Sequence, residues 1–70
     1  MAIMKDNSFI KFDYVNWRGV KGERKARAIE IYHGSTEYHP EDQWLLEAMD
    51  LDKNEIRIFA MKDMSNVKYL

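Results

Sequence analysis

The sequence predicts an all-β fold, a small antiparallel barrel of four to five strands. Three observations predict it. Apolar and polar residues alternate over several short segments, the two-residue period of a half-buried strand. Clusters of Gly, Asp, Asn and Pro separate these segments at roughly regular spacing, as turns do in small barrels. The 70 residues are 46% hydrophobic and 13% aromatic, which is enough apolar material to fold and too short a chain for more than one domain. Residues 1–70 are therefore read as a single domain.

The first strand is expected over residues 9–17, where Ile10, Phe12 and Tyr14 fall on one face and Lys11 and Asp13 on the other. Residues 18–23 hold two of the three glycines and read as a hairpin loop. The second strand runs from about Arg24 to Tyr32. Ala26 and Ala28 are in phase, then Ile29 and Ile31 continue in the opposite phase, and that slip by one predicts a bulge or a change of partner near Ala28. Residues 33–42 contain the third glycine and the only proline and read as a long loop, of the kind that often carries function. Trp44 to Met49 reads as a third strand with Trp44, Leu46 and Ala48 on one face, although Leu, Glu, Ala and Met also favour a helical turn. Residues 50–55 form the next turn. The fourth strand covers Glu55 to Met61, with Ile56, Ile58 and Ala60 opposite Arg57, Phe59 and Met61. A single helical turn over 62–66 and a short last strand over 67–70 complete the chain. Trp44, Leu46, Ile56 and Ile58 are expected to share one core, with Tyr14 beside them.

A chain of this length buries only about 60% of the surface its unfolded form exposes, and small domains offset that with disulfides, metals or self-association. There is no cysteine, so disulfides and thiolate metal sites are excluded, and a homo-oligomer is the expected remedy. The N-terminal residues lack the basic stretch and apolar run of a signal peptide, and no apolar run approaches a membrane span of ~18 residues. A cytoplasmic location with no membrane partner is the expectation. The net charge of −1 hides an asymmetry. Residues 18–27 hold five bases and one acid, whereas residues 37–55 hold seven acids and one base. Such a dipolar chain can offer a basic patch to an anion, or it can be a solvated surface of mixed sign.

For catalysis the sequence has no nucleophile elbow, phosphate-binding glycine loop, paired-histidine motif or zinc signature. A non-enzymatic protein without a cofactor is expected. The candidate binding residues are Arg24, Arg27 and Arg57. An arginine between apolar strand neighbours can pair structurally with an acid such as Glu30, Glu47 or Asp63, or present its planar fork to a phosphate. Aromatic faces next to arginines suit base stacking; Trp17, beside Arg18 and Gly19, and Tyr32 are the candidates, while Tyr14 and Trp44 read as core. His33 and His39 are the only histidines, and they read as loop side chains that line a ligand rather than as metal ligands.

Trp44-Leu45-Leu46, the turn after it, Arg57-Ile58-Phe59, then Asp63-Met64 and Asn66-Val67 resemble the WYL domain, whose name motif is a Trp-Tyr-Leu strand followed by a hairpin and a strand with an Arg-x-Phe core. Tyr14, Gly19, Arg24 and the Ala28 position match the family's upstream pattern, so the resemblance covers about residues 9–68. The departures are Leu45 at the middle Tyr and Ala28 at the Pro of the second strand, and the helix-turn-helix that often accompanies such domains in bacterial regulators is absent from these residues. The resemblance implies an SH3-like or Sm-like barrel and a ligand-sensing role, with nucleotides or short single-stranded nucleic acid as ligands. It also suits a regulatory or phage and mobile-element accessory protein. The second reading, of another class, is a protein-interaction or homo-oligomeric assembly module with no small-molecule ligand.

Overall fold

The computed structural model describes residues 8–37 and 40–70. Five antiparallel strands form one sheet: β1 (Phe9–Val15), β2 (Lys21–Gly34), β3 (Gln43–Asp50), β4 (Glu55–Ala60) and β5 (Met64–Tyr69), with a 3-10 turn at Met61–Asp63 between the last two. The strand order is β4-β3-β2-β1-β5. The first four strands are a simple meander, and β5 returns to pair with β1 at the far edge.

The connection from β4 to β5 dictates the shape. A flat sheet of five strands would hold its edges about 19 Å apart at the usual strand spacing. The three-residue 3-10 turn that joins those edges spans only about 6 Å. The sheet must therefore curl until β4 faces β1 across an interior. Side-chain contacts mark that approach: the ring centroids of Tyr14 and Phe59 lie 4.9 Å apart and those of Phe12 and Phe59 5.1 Å, all edge to face. The Ala60 amide donates a 2.9 Å hydrogen bond to the Tyr14 hydroxyl. β4 and β5 do not pair with each other, so the sheet is curled but not closed into a barrel.

The core lies on the concave face. Ile10, Phe12, Tyr14, Ala26, Ala28, Leu46, Ala48 and Phe59 are buried there, with Ile31, Met61 and Met64 packed against them. The alternation of Ile10, Phe12 and Tyr14 sets β1 as expected. The slip in β2 is a bulge: Ala28 pairs with Ala48 and Glu30 with Glu47, which leaves Ile29 as the extra residue. That insertion lets Ala26 and Ala28 before it, and Ile31 after it, all face the core.

Four expectations are corrected. Phe59, not Ile56 and Ile58, is the core residue of β4, because Leu46 pairs with Phe59 while Ile58 pairs with Glu47 and Ile56 with Met49. Periodicity alone offers both phases of such a strand, and the aromatic contacts to β1 select this one. Trp44 is 58% exposed, because it sits at the start of β3 beside His33, beyond the reach of the core aromatics. The first hairpin turn is Asn16–Val20 rather than 18–23; Lys21 and Gly22 already pair with Val15 and Tyr14. β2 likewise continues to Gly34, so the long loop is shorter than the sequence suggests. Leu45, at the middle position of the family motif, is fully buried beside Ala60 on the face opposite the main core.

Burial raises the ionisation of the Tyr14 phenol above its ordinary value. The bond from Ala60 opposes that rise, the Asp63 carboxylate adds to it and the Arg24 guanidinium opposes it. The fold thus holds the protonated phenol. Below pH about 10 both folded and unfolded chains keep the proton, and the contribution is intact. Above it the unfolded chain releases the proton first, so stability falls with rising pH until the folded phenol also ionises. Tyr14→Phe is expected to cost about 1–3 kcal/mol at neutral pH, because the Ala60 amide loses its acceptor. Denaturant melts across the alkaline range should show the parent losing this advantage over the variant above pH about 10. A second pair of melts checks the core phase: Leu46→Ala should cost about 2–5 kcal/mol, whereas Ile56→Ala should stay within about 1 kcal/mol.

Candidate functional site

At the mouth of the curled sheet lies a cavity of about 640 Å³, within the range of small-molecule sites. Its floor is Tyr14 and Phe59; its rim is built from the two hairpin turns, the β4 edge and the start of the β2–β3 connection at Thr36 and Glu37.

The first rim is the β1–β2 turn. Asn16 organises it: its side-chain oxygen accepts from the Arg18 and Val20 amides at 2.9 and 3.0 Å, and its carbonyl accepts from the Gly19 amide at 2.8 Å. Gly19 has φ of 80°, the left-handed conformation that closes a three-residue hairpin loop and that glycine adopts without strain. Trp17 and Arg18 are thereby left at the tip. The Arg18 guanidinium lies 4.9 Å from the Trp17 ring centroid, and Trp17 is 61% exposed.

The second rim is the β3–β4 turn, held by Asp50. This carboxylate is 2% exposed, yet it is compensated, since one oxygen accepts from the Asp52 and Lys53 amides at 3.0 and 3.1 Å. The Asn54 amide donates to the Asp50 carbonyl at 2.7 Å, and Asn54 itself is left-handed with φ of 55°. This turn sets Lys53 on the cavity wall.

Arg24 lies between the two rims. It pairs with Phe12 across β1 and β2 and so points to the concave face. Its guanidinium folds back over Gly22, where a Cβ would come within 2.7 Å of Nη1. The same nitrogen donates to the Glu23 carbonyl at 3.2 Å. Gly22 is therefore a close-approach glycine inside a strand, not the loop residue its composition suggests. Arg57 reaches the cavity from β4 and is held by Glu55 at 3.0 Å in an exposed pair; exposed pairs of this kind are weak and screened by salt.

Of the residues singled out from sequence, Arg24, Arg57 and Trp17 line this one cavity. Arg27 does not join them. It pairs with Met49, which pairs with Ile56, whereas Arg57 pairs with Ala48, so Arg27 and Arg57 fall on opposite faces of the sheet. Tyr32 pairs with Leu45 and faces away from the core, and His33 packs against Trp44 at 5.2 Å; neither lines the cavity. His39 lies outside the described residues. Lys53, Asn16 and Thr36 are cavity residues that the sequence reading missed. The turn at residues 50–55 was legible, whereas Asn16 read as part of the first strand, and which way a turn tips its neighbours depends on the curl. Among the described residues no three His, Asp or Glu side chains come together as metal ligands. No family model, curated protein or solved structure matches the chain.

The Gly22 cradle makes a specific prediction. Gly22→Ala should leave the melting temperature close to the parent's, because the atom displaced is the mobile end of a side chain, but it should push the guanidinium away from Tyr14. Moving that cation off removes a contribution that favours the phenolate, so the Tyr14 ionisation should rise further. NMR of the Tyr14 ring across an alkaline titration, with Arg24→Ala as the limiting case, reads this shift.

Proposed function

We propose that this chain is a non-enzymatic binding module whose concave cavity takes a phosphate-bearing ligand, either a nucleotide or a short single strand of nucleic acid. The observation that carries the reading is the convergence of Trp17 and Arg24 from the first hairpin and Arg57 from β4 on one cavity of about 640 Å³. Arg24 is the principal phosphate ligand. Its fork is held in place by the Gly22 cradle and the Glu23 carbonyl, with no carboxylate within ion-pair distance among the described residues. Lys53 adds a second positive charge, and Arg57 can leave its weak pair with Glu55 to add a third. Trp17 at the rim supplies the stacking face. Glu37 and Asp50 also line the cavity; the Glu37 carboxylate can accept a hydrogen bond from a base, whereas the Asp50 carboxylate is buried and held by its own turn.

The resemblance to the WYL domain points the same way, toward a ligand-sensing regulatory or accessory protein that works in the cytoplasm. The meander order, the bulged β2 and the short 3-10 turn between the sheet's edges support placing the fold among SH3-like or Sm-like small barrels, here with the last strand pair left open.

Titration calorimetry with nucleoside monophosphates and a short oligonucleotide tests the proposal. Arg24→Ala should weaken binding by about 1.5–3 kcal/mol and Trp17→Ala by about 1–3 kcal/mol. Arg27→Ala, on the other face, should leave affinity unchanged. Rising salt should weaken the oligonucleotide steeply and the mononucleotide gently. Equal affinity in the parent, Arg24→Ala and Trp17→Ala, or loss of binding only in Arg27→Ala, would place the ligand elsewhere.

A further inference from the structure

We infer that the open part of β4, Glu55–Ile58, is a self-association edge that pairs antiparallel with the same segment of a second copy, about a two-fold axis at Ile56.

The direction of the backbone comes first. Among the described residues β4 lies at the edge of the sheet and pairs as a strand only with β3. The Ala60 amide donates to Tyr14 rather than to β3, so at Ala60 the backbone polar groups point off the edge. Backbone direction alternates along an antiparallel strand, so Ile58 and Ile56 also present their N–H and C=O outward. Among the described residues neither has a hydrogen-bond partner on that side. Tyr14 closes the Ala60 end, which leaves a short open ladder centred on Ile56.

The side chains then choose the occupant and the register. With the axis at Ile56, Glu55 stands opposite Arg57 of the second copy, and Arg57 opposite its Glu55. Two ion pairs form on the face that Arg57 shares with Ala48, and the two Ile56 side chains meet on the other face. Ile56 is 57% exposed and gains cover there. Moving the axis one residue, to Arg57, would set the two arginines against each other, which is destabilising. The register favoured by charge is therefore the one whose centre carries outward-facing hydrogen-bonding groups. A strand without this charge palindrome would not satisfy both conditions, so the fitting partner is this chain itself, in an isologous contact.

The other edge of the sheet does not offer the same opportunity. β5 is interrupted by an irregular register at β1 and by left-handed Asn66 with φ of 54°, and its only charge is Lys68. Bulges and edge lysines are devices that prevent strand addition. β4 has no bulge, proline or lysine.

Sedimentation equilibrium of the full chain over a wide concentration range provides the test. The parent should show a concentration-dependent monomer–dimer equilibrium. Glu55→Arg and Arg57→Glu, each alone, should weaken it tenfold or more, since each sets like charges across the axis. The double variant E55R/R57E restores opposite charges and should recover dimerisation. Ile56→Pro removes the central outward N–H at an edge position that tolerates proline and should abolish it. Thermal melts at dilute concentration confirm that each variant folds. A parent that stays monomeric at every concentration overturns the inference. So does a dimer indifferent to Ile56→Pro, or a double variant no better than the singles. Ligand titration is a separate readout, so loss of the dimer leaves the cavity reading standing.

Discussion

The contact between β1 and β4 is the constraint on which the rest of the structure depends. These strands are three places apart in the sheet, yet the Tyr14 ring meets Phe59 and its hydroxyl accepts the Ala60 amide. Two needs are met by one residue. The ring fills the interior that a curled sheet creates, and the hydroxyl satisfies a backbone donor that an edge strand would otherwise leave buried and unpaired. The short 3-10 turn forces the edges together, and the Phe12–Tyr14–Phe59 cluster gives them a reason to stay.

The cavity is a consequence of the same curl. In a flat sheet Arg24, Trp17 and Lys53 would stand on separate parts of one surface. Curling brings the two hairpin turns over the concave face, so side chains from either turn converge. The turns are rigid for local reasons, since Asn16 and Asp50 each bind two or more amides of their own turn. Mutual support of this kind suits a preformed site, in which little ordering cost remains when a ligand arrives.

The sheet's two edges are managed differently. Tyr14 seals one end of β4, a bulge and a lysine guard β5, and the middle of β4 stays open with a self-complementary charge pattern. A chain this small has a limited core, so association through one edge would add buried area without altering the interior. Ile56, Arg57 and Ile58 border both the cavity and this edge, so the proposed ligand site and the proposed self-association edge would lie side by side on the same strand.

What the sequence determined alone was local. Alternation in β1 and the phase slip at Ala28 follow from the fixed two-residue period of a strand, and both the buried face and the bulge were legible from them. Glycine marked the first turn to within a few residues. Three things were decided only by tertiary structure. β4 reads equally well in either phase, and Phe59 rather than Ile56 or Ile58 turns inward because an aromatic ring reaches Tyr14 and Phe12 across the interior. Gly22 looks like a turn residue, but it serves to let the Arg24 guanidinium lie against the sheet. Arg27 and Arg57 look equivalent in sequence, yet the register sends them to opposite faces. Period and turn chemistry act over a few residues, whereas register and curvature are set by contacts between residues dozens of positions apart, such as Tyr14 with Ala60.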